Sequence, residues 1–96
     1  MGTRGIYEWD DTKRRTNIHK HGVDFADMVS FDWDTAYVTL MDHPSEERWI
    51  ALGFLNLTLC FVVYTERGDH IRLISLRKAT RKERDAYGKK LSLIHI

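Results

Sequence analysis

Short stretches of alternating apolar and polar residues recur along the 96-residue chain, and such alternation is typical of strands with one buried face. The pattern predicts a first, edge strand over residues 6–9, "IYEW", and further strands over 36–42, 48–54 and 70–78. The stretch "TLCFVVYT" (58–65) is instead apolar at both alternating sets of positions. We therefore expect this strand to lie centrally in the sheet, with both faces covered.

A helix is predicted after the first strand, over residues 11–21. Asp10 is a good N-cap, because its side chain can accept hydrogen bonds from the N–H groups of the first turn. Gly22 fits the position just beyond the helix, where a positive φ is needed. Because Ile18 alone is strongly apolar in this segment, tertiary contacts have to hold the helix in place.

Two further helices are indicated by capping residues. Asp24 can cap a second helix over "FADMVSF" (25–31), and Thr80 with Glu83 makes a capping box for a third helix that ends near Gly88. The resulting element order, β-α-α-β-β-β-β-α, predicts an α+β fold. We expect an antiparallel four-stranded sheet packed by two N-terminal helices and one C-terminal helix.

The length fits one domain, which we place over residues 1–90. The last six residues, "LSLIHI" (91–96), are apolar, follow a charged helix end and have no pairing partner in this plan. They are also what the end of a widely used sequencing-library transposon encodes in this reading frame. We interpret them as a non-native adaptor tail and leave them out of the fold prediction, with a genuine final strand as the alternative.

Charge is distributed unevenly, although the net charge is only +1. Residues 22–47 contain seven acidic residues and no Lys or Arg, whereas residues 66–90 contain nine Lys or Arg against four acidic residues. The N-terminal segment is also basic. If the two basic ends meet in space, they form a patch that suits a polyanion.

The single cysteine, Cys60, has no partner for a disulfide, which fits a reducing compartment, and we predict a cytoplasmic protein. A buried strand thiol accounts for Cys60 better than a nucleophile does. No apolar run is long enough to cross a bilayer, so we expect no membrane association. Phosphate-binding loops, serine-hydrolase elbows and metal-ligand spacings are absent from the sequence, and we predict no metal and no cofactor.

The strand "HIRLISLRK" (70–78) carries candidate phosphate ligands. Strict alternation places Arg77 on one face with Ser75, and Arg72 on the other face with Lys78. An arginine at a sheet rim can pair with an acid, or its guanidinium can hold two phosphate oxygens. The sequence leaves both interpretations open.

Cleavage of RNA without a metal needs a base for the 2′-OH proton, cations for the charged transition state and an acid for the leaving 5′ oxygen. His21 is a candidate base or acid, because imidazole exchanges protons near neutral pH. The candidate sources of positive charge are Lys20, Arg48, Arg72 and Arg77. As a plain helix end, Lys20 and His21 would only complement the helix dipole.

Further candidates have structural explanations of their own. Three residues can transfer protons, yet Glu83 is first a cap residue, Tyr87 packs its ring and Tyr64 ends a core strand. The remaining cations of the C-terminal half are candidate RNA-binding residues: Arg67, Lys78, Arg81 and Arg84.

Several motifs together resemble the BrnT family of toxins. The N-terminal signature is matched by "EWD" (8–10), Lys13, Asn17 and "KHGVDF" (20–25), and the C-terminal half by "EERW" (46–49), Gly53 and "VVYTERGDHIRLISLRKATRKERDAY" (62–87). The resemblance covers nearly all of residues 8–88. Leu76 departs from it, since the family usually has a small residue there.

The resemblance implies a RelE-like fold and a type II toxin that cuts RNA and arrests growth. It also implies a BrnA-like antitoxin with a ribbon-helix-helix part, which covers the toxin and makes the contacts to operator DNA. The matched positions that carry over as site candidates are Lys20, His21, Arg48, Arg72 and Arg77.

We therefore expect a metal-independent endoribonuclease that inhibits translation, with Lys20 and His21 close to Arg72 and Arg77 in space. Two alternatives stay open. The first is a non-catalytic module whose basic patch docks an acidic peptide. The second is a toxin remnant that binds the antitoxin and leaves RNA intact.

Overall fold

A computed structural model of the chain describes residues 2–4 and 6–94, with side chains from 6 to 90. Nine elements follow one another along these residues, and most bounds lie within two residues of the prediction. In chain order they are β1 (Gly2–Arg4), β2 (Tyr7–Trp9), α1 (Asp11–His21), a 3₁₀ helix (Phe25–Ser30), β3 (Tyr37–Met41), β4 (Arg48–Leu55), β5 (Thr58–Arg67), β6 (His70–Lys78) and α2 (Arg81–Ile94).

The strands form one sheet in the order β1-β2-β6-β5-β4-β3. β2 pairs parallel with β6, and the other neighbours pair antiparallel. The α+β class is thus confirmed. The prediction of a four-stranded, antiparallel, RelE-like sheet does not match, because the sheet has six strands among the described residues and includes one parallel pair. The difference comes from the N-terminus, where β1 covers β2 and makes it an interior strand rather than an edge. Each of these strands has three residues, too few for alternation to indicate pairing.

Each face of the sheet is covered by a different element. On the inner face, Phe25 and Met28 of the 3₁₀ helix are fully buried against strand residues such as Val62. On the opposite face, here called the α2 face, Tyr87 packs with apolar residues of β4 and β5. β5 has neighbours on both sides and buried residues on both faces, as predicted from its uninterrupted apolar pattern.

The boundaries of α1 are those that the capping residues predict. The Asp10 side chain accepts a hydrogen bond from the N–H of Lys13 at 3.0 Å. Gly22 adopts φ 71° and donates its N–H to the carbonyl of Ile18. Ile18 itself is 39% exposed, however, and Asn17 is the buried residue of the helix. A polar contact therefore anchors α1.

The second predicted helix is a single 3₁₀ segment rather than an α-helix. Asp24 caps it as expected, accepting from the N–H of Ala26 at 3.0 Å. Phe31 already has an extended backbone, so the segment is too short for the α-helical hydrogen-bond pattern to become established.

β6 contains a bulge at Ile74. Val63 pairs with Ser75 and Tyr64 pairs with Leu73, so Ile74 has no partner across the ladder. Leu73 and Leu76, three positions apart, are both buried on the inner face. The extra residue thus shifts the alternation of the second half of the strand by one position.

The capping box at the start of α2 is confirmed. Thr80 donates its N–H to Glu83 Oε1 at 2.8 Å, and Glu83 donates its N–H to Thr80 Oγ1 at 3.2 Å. The predicted end near Gly88 is wrong, because the helix continues to Ile94 and a glycine inside a helix costs only about 1 kcal/mol. A final strand is excluded for residues 91–94. Residues 95–96 lie outside the described residues, and the adaptor origin of the tail stays a prediction.

Candidate functional site

A groove of about 240 Å³ runs between α1 and the middle of β6. It is called the α1–β6 groove here. Seven of its eight lining residues are polar, and the whole set is Thr12, Lys13, Thr16, Asn17, Lys20, His21, Ile74 and Ser75. Lys20 and His21 therefore contact the same space as Ser75 of β6, rather than pointing away from the sheet as a bare helix end would.

Asn17 fixes the two walls of the groove relative to each other. Its Nδ2 donates to the carbonyl of Leu76 at 2.7 Å and to the carbonyl of Val23 at 3.0 Å. Its Oδ1 accepts from the N–H of Leu76 at 3.1 Å. The parallel pairing of β2 with β6 extends only to Arg72, so Asn17 satisfies the backbone edge of β6 beyond it.

Helical spacing aligns the α1 wall of the groove. Residues 16 and 17 each lie three or four positions from both 13 and 20, which places all four on one face of the helix. Asn17 points into the sheet edge, and Lys13, Thr16 and Lys20 are exposed beside it. The same face of α1 thus carries Asn17, which anchors the helix to the sheet, and the exposed side chains that a ligand in the groove can contact.

The polar side chains that line the groove are cationic or neutral. It contains two lysines, one histidine, three hydroxyl groups and an amide, and it contains no carboxylate. Within residues 6–90, neither the Lys20 ammonium nor the His21 ring is in an ion pair with an acid. Lysine ammonium, hydroxyl and amide groups are among the side-chain groups that contact phosphate oxygens in nucleic-acid complexes. The groove is therefore suited to a phosphate group of a ligand.

The bulge at Ile74 brings both β6 arginines to one face. Arg72 pairs across the ladder with Thr65, Ser75 with Val63 and Arg77 with Phe61. Because alternate residues of β5 share a face, Arg72, Ser75 and Arg77 all lie on the α2 face. The prediction that Arg72 and Arg77 lie on opposite faces was wrong, since it assumed regular alternation. Ser75, at the groove, lies between the two arginines along the strand.

Arg77 is held by an acid and a ring. Its Nη1 and Nη2 donate to the two carboxylate oxygens of Glu83 at 2.8 and 2.9 Å, and its guanidinium lies 4.1 Å from the centre of the Phe61 ring. This hydrogen bonding lowers the pKa of Glu83 and raises that of Arg77. Of the two interpretations left open by the sequence, the structure shows the ion pair with an acid.

The other two arginine candidates are also next to acids. Arg48 Nε lies 3.2 Å from Glu46 Oε1, and Arg72 Nη1 lies 3.6 Å from Glu8 Oε1. Arg48 and Arg72 are on β4 and β6, on either side of β5, so they are separated by about two strand spacings, roughly 10 Å. They provide positive charge to the α2 face, with part of it neutralised in the unliganded protein.

The four predicted RNA-binding residues do not form one surface. Lys78 pairs with Cys60 and therefore lies on the inner face, away from Arg72 and Arg77. Arg67 is exposed at the far end of β5, and Arg81 is exposed at the start of α2. Arg84 donates to the carbonyl of Ala79 at 2.9 Å. The structure thus separates Lys78 from the arginines by face, and Arg67 from Arg81 and Arg84 by the length of β6.

The contacts of Tyr64 and Tyr87, the additional tyrosine candidates for proton transfer, give these residues structural roles. Tyr64 is buried on the inner face, and burial raises its pKa. The Tyr87 hydroxyl donates to the carbonyl of Thr35 at 2.8 Å. Burial also raises the pKa of the Cys60 thiol, which fits a core residue. Among the described residues, no group of three or more His, Cys, Asp or Glu is arranged to hold a metal ion.

Only Lys20 and His21 of the eight groove residues were predicted as site residues. The six that were not predicted are Thr12, Lys13, Thr16, Asn17, Ile74 and Ser75. The signal for Asn17 was its position on a helix with one strongly apolar residue, where a buried polar side chain has to find partners. Thr16 could have been found from its spacing to Lys13 and Lys20. Ser75 could not, because its position beside the groove depends on the bulge.

Comparisons with known proteins identify the family of the chain and a similar solved structure. The family model described as "Ribonuclease toxin, BrnT, of type II toxin-antitoxin system" matches residues 9–83. The crystal structure of the Brucella abortus ribonuclease toxin BrnT is similar to this chain with a TM-score of 0.59 and 30% sequence identity. The similarity covers 80% of this chain and 100% of that one. No curated protein matches the chain.

Proposed function

Because the chain belongs to the BrnT family of ribonuclease toxins of type II toxin–antitoxin systems, we propose that it cuts RNA in the α1–β6 groove without a metal ion. The observation that carries the proposal is the lining of this groove. It places two lysines, a histidine and three hydroxyl groups together and includes no carboxylate that would repel a phosphate.

The groove residues correspond to the steps of RNA cleavage. A base removes the proton of the 2′-OH, the 2′ oxygen attacks phosphorus, and the bond to the 5′ oxygen breaks as an acid protonates that oxygen. The products are a 2′,3′-cyclic phosphate end and a free 5′-OH end. Imidazole is the side-chain group most often used in general acid–base catalysis, so we assign one of the two proton transfers to His21.

The cations stabilise the charge that develops on the phosphoryl oxygens. Lys20 and Lys13 carry ammonium groups at the groove, and the Ser75 hydroxyl can donate a hydrogen bond to the same phosphate. Arg72 and Arg48 extend the positive surface along the α2 face. Neighbouring phosphates of the bound strand compete there with Glu8 and Glu46 for the guanidinium groups.

The partners in this proposal follow from the family. A type II toxin has a protein antitoxin, for which we propose a BrnA-like protein with a ribbon-helix-helix part. Operator DNA is contacted through the antitoxin, and RNA cleavage by the free toxin inhibits translation and arrests growth in the cytoplasm. Among the described residues no helix is long and apolar enough to cross a membrane.

Single-stranded RNA in buffer with EDTA tests the catalytic assignment. We expect cleavage by the purified chain, with the rate reduced at least about 100-fold by His21→Gln, a usual loss when a general acid or base is removed. Lys20→Gln should reduce the rate as well. His19→Gln is the matched control, because His19 is exposed on the same helix and does not line the groove.

Three results would contradict the assignment. The first is equal loss of cleavage with His19→Gln and His21→Gln, and the second is cleavage that requires Mg²⁺. The third is full cleavage by the His21→Gln, Lys20→Gln double variant, which would show that the active site lies outside the groove.

The ion pairs of the three arginines favour one alternative, a toxin remnant that binds its antitoxin without cutting RNA. In the described structure, Arg48, Arg72 and Arg77 each face a carboxylate at 3.6 Å or less. A remnant would be harmless when expressed without the antitoxin and would still bind the antitoxin. The active toxin would stop growth under the same conditions.

A further inference from the structure

The sheet ends at β3, whose outer edge has no neighbouring strand among the described residues. The strand "YVTLM" contains no charged residue, proline or bulge, the features that usually protect an exposed edge from pairing. Tyr37 and Val38 are each 41% exposed, and Leu40 is 53% exposed. The β3 edge therefore offers open backbone groups beside accessible apolar side chains.

Acidic residues flank this strand on both sides. Asp32 and Asp34 precede it, and Asp42, Glu46 and Glu47 follow it. The three carboxylates after the strand, with Leu40 and Met41, line a cavity of about 330 Å³. Glu46 faces Arg48, whereas within residues 6–90 neither Asp42 nor Glu47 has a cationic partner. The cavity thus has spare negative charge at the end of an unpaired strand.

We infer that the β3 edge binds an extended segment of the antitoxin as a seventh strand of the sheet, with a Lys or Arg of that segment in the cavity beside Asp42 and Glu47. Backbone hydrogen bonds to β3 supply affinity in this mode, and the side chains of the added strand supply specificity. The identity of the partner rests on the proposed function, and the surface rests on the exposure and charge of β3.

The acidic residues around β3 disfavour two other ligands of this edge, a second copy of the chain and RNA. A second copy of this chain pairing through β3 would bring acidic flanks together in either strand direction, because residues on both sides of β3 are acidic. RNA would be repelled by the same carboxylates. An extended protein segment with basic residues near its ends is complementary to both the strand and its flanks.

The β3 edge is distinct from the groove proposed to bind RNA. β3 and β6 are separated by β4 and β5, three strand spacings or roughly 14 Å. Substitutions on β3 are therefore expected to weaken antitoxin binding and leave RNA cleavage unchanged. This separation lets a failure of the docking proposal be told apart from a failure of the ribonuclease proposal.

Hydrogen–deuterium exchange on the purified complex with the antitoxin provides the first test. Backbone amides of Tyr37–Met41 on the open edge are expected to exchange at least about tenfold more slowly in the complex than in the free chain. The hairpin tip at Leu57, 97% exposed, is the internal reference and should exchange equally in both states. Unchanged exchange across β3 would overturn the proposal.

Affinity measurements with matched variants provide the second test. Leu40→Lys and the double variant Asp42→Lys, Glu47→Lys are expected to raise the dissociation constant of the complex at least about tenfold. Leu57→Lys makes the same charge change as Leu40→Lys, and the double variant Asp69→Lys, Asp85→Lys makes the same charge change as the cavity double variant. All three control positions are exposed, and both controls should leave the dissociation constant within about twofold. Thermal unfolding of each variant shows whether it is folded. Folded β3 variants that bind as tightly as the controls would overturn the proposal.

Discussion

At the scale of single residues, the Asn17 side chain joins α1 to the edge of β6. Its amide makes three hydrogen bonds, at 2.7, 3.0 and 3.1 Å, and two of them satisfy both backbone groups of Leu76. Only 6% of the residue is exposed. The groove exists because this side chain replaces a neighbouring strand along that part of β6.

Asn17→Ala should therefore lower the free energy of unfolding by about 2–4 kcal/mol, because it leaves buried backbone groups of Leu76 and Val23 without partners. Thr16→Ala, one position away and exposed, should change it by less than about 0.5 kcal/mol. Urea unfolding of the two variants measures the difference. Equal stability of the two variants would mean that α1 is held by other contacts.

The ion pair between Arg77 and Glu83 makes stability depend on pH. The pKa of Glu83 in the folded chain is lowered from its ordinary value of 4.5, chiefly by the hydrogen bonds from Arg77. As pH falls, the Glu83 carboxylate therefore binds a proton at a higher pH in the unfolded chain than in the folded chain. The contribution of the pair is complete above about pH 4.5 and is lost as pH falls through the lower folded value.

Glu83→Gln should destabilise the chain by about 1 kcal/mol at pH 7, a usual value for a partly exposed pair, and by less near pH 3. Asp85→Asn, exposed on the same helix, is the control, and its effect on the free energy of unfolding should not differ between pH 7 and pH 3. Chemical unfolding at several pH values measures both. A destabilisation by Glu83→Gln that grows toward pH 3 would contradict the assignment of this pair.

At the scale of elements, most bounds could be predicted because capping residues and apolar runs determine them locally. Asp10, Gly22 and Thr80 mark helix ends by side-chain or backbone chemistry that needs no distant partner. The parallel pairing of β2 with β6 joins segments more than 60 residues apart in sequence, and the bulge at Ile74 depends on the pairing of β6 with β5. A local pattern contains neither of these contacts.

The bulge also explains why the site was predicted only in part. Lys20 and His21 were predicted from local chemistry, and the structure places them at the groove. The relation of Arg72 to Arg77 was wrong, because a one-residue shift reverses the face of every later side chain in the strand. Lys78 was grouped with the other cations by its charge alone, and its pairing with Cys60 places it on the inner face.

At the scale of the whole molecule, the net charge of +1 conceals local differences in charge. The α1–β6 groove is lined by Lys13, Lys20 and His21 without a carboxylate, whereas acidic residues flank β3 at the other end of the sheet order. Under the proposed function, this distribution attracts RNA and the protein antitoxin to different edges of the sheet. We assign RNA to the first edge and the antitoxin to the second.

The central claim is that the α1–β6 groove holds an RNA phosphate, and binding of an uncleavable 2′-O-methyl oligonucleotide tests it most directly. Fluorescence anisotropy at several salt concentrations should show that Lys13→Gln with Lys20→Gln weakens binding at least about tenfold. The salt dependence should also become shallower, with the slope of log K against log salt reduced by about 0.7 for each phosphate that the variant no longer neutralises. Lys82→Gln with Lys89→Gln removes equal charge from α2 and should have a smaller effect. Equal affinity of wild type and groove variant, with weaker binding confined to the α2 variant, would contradict the claim.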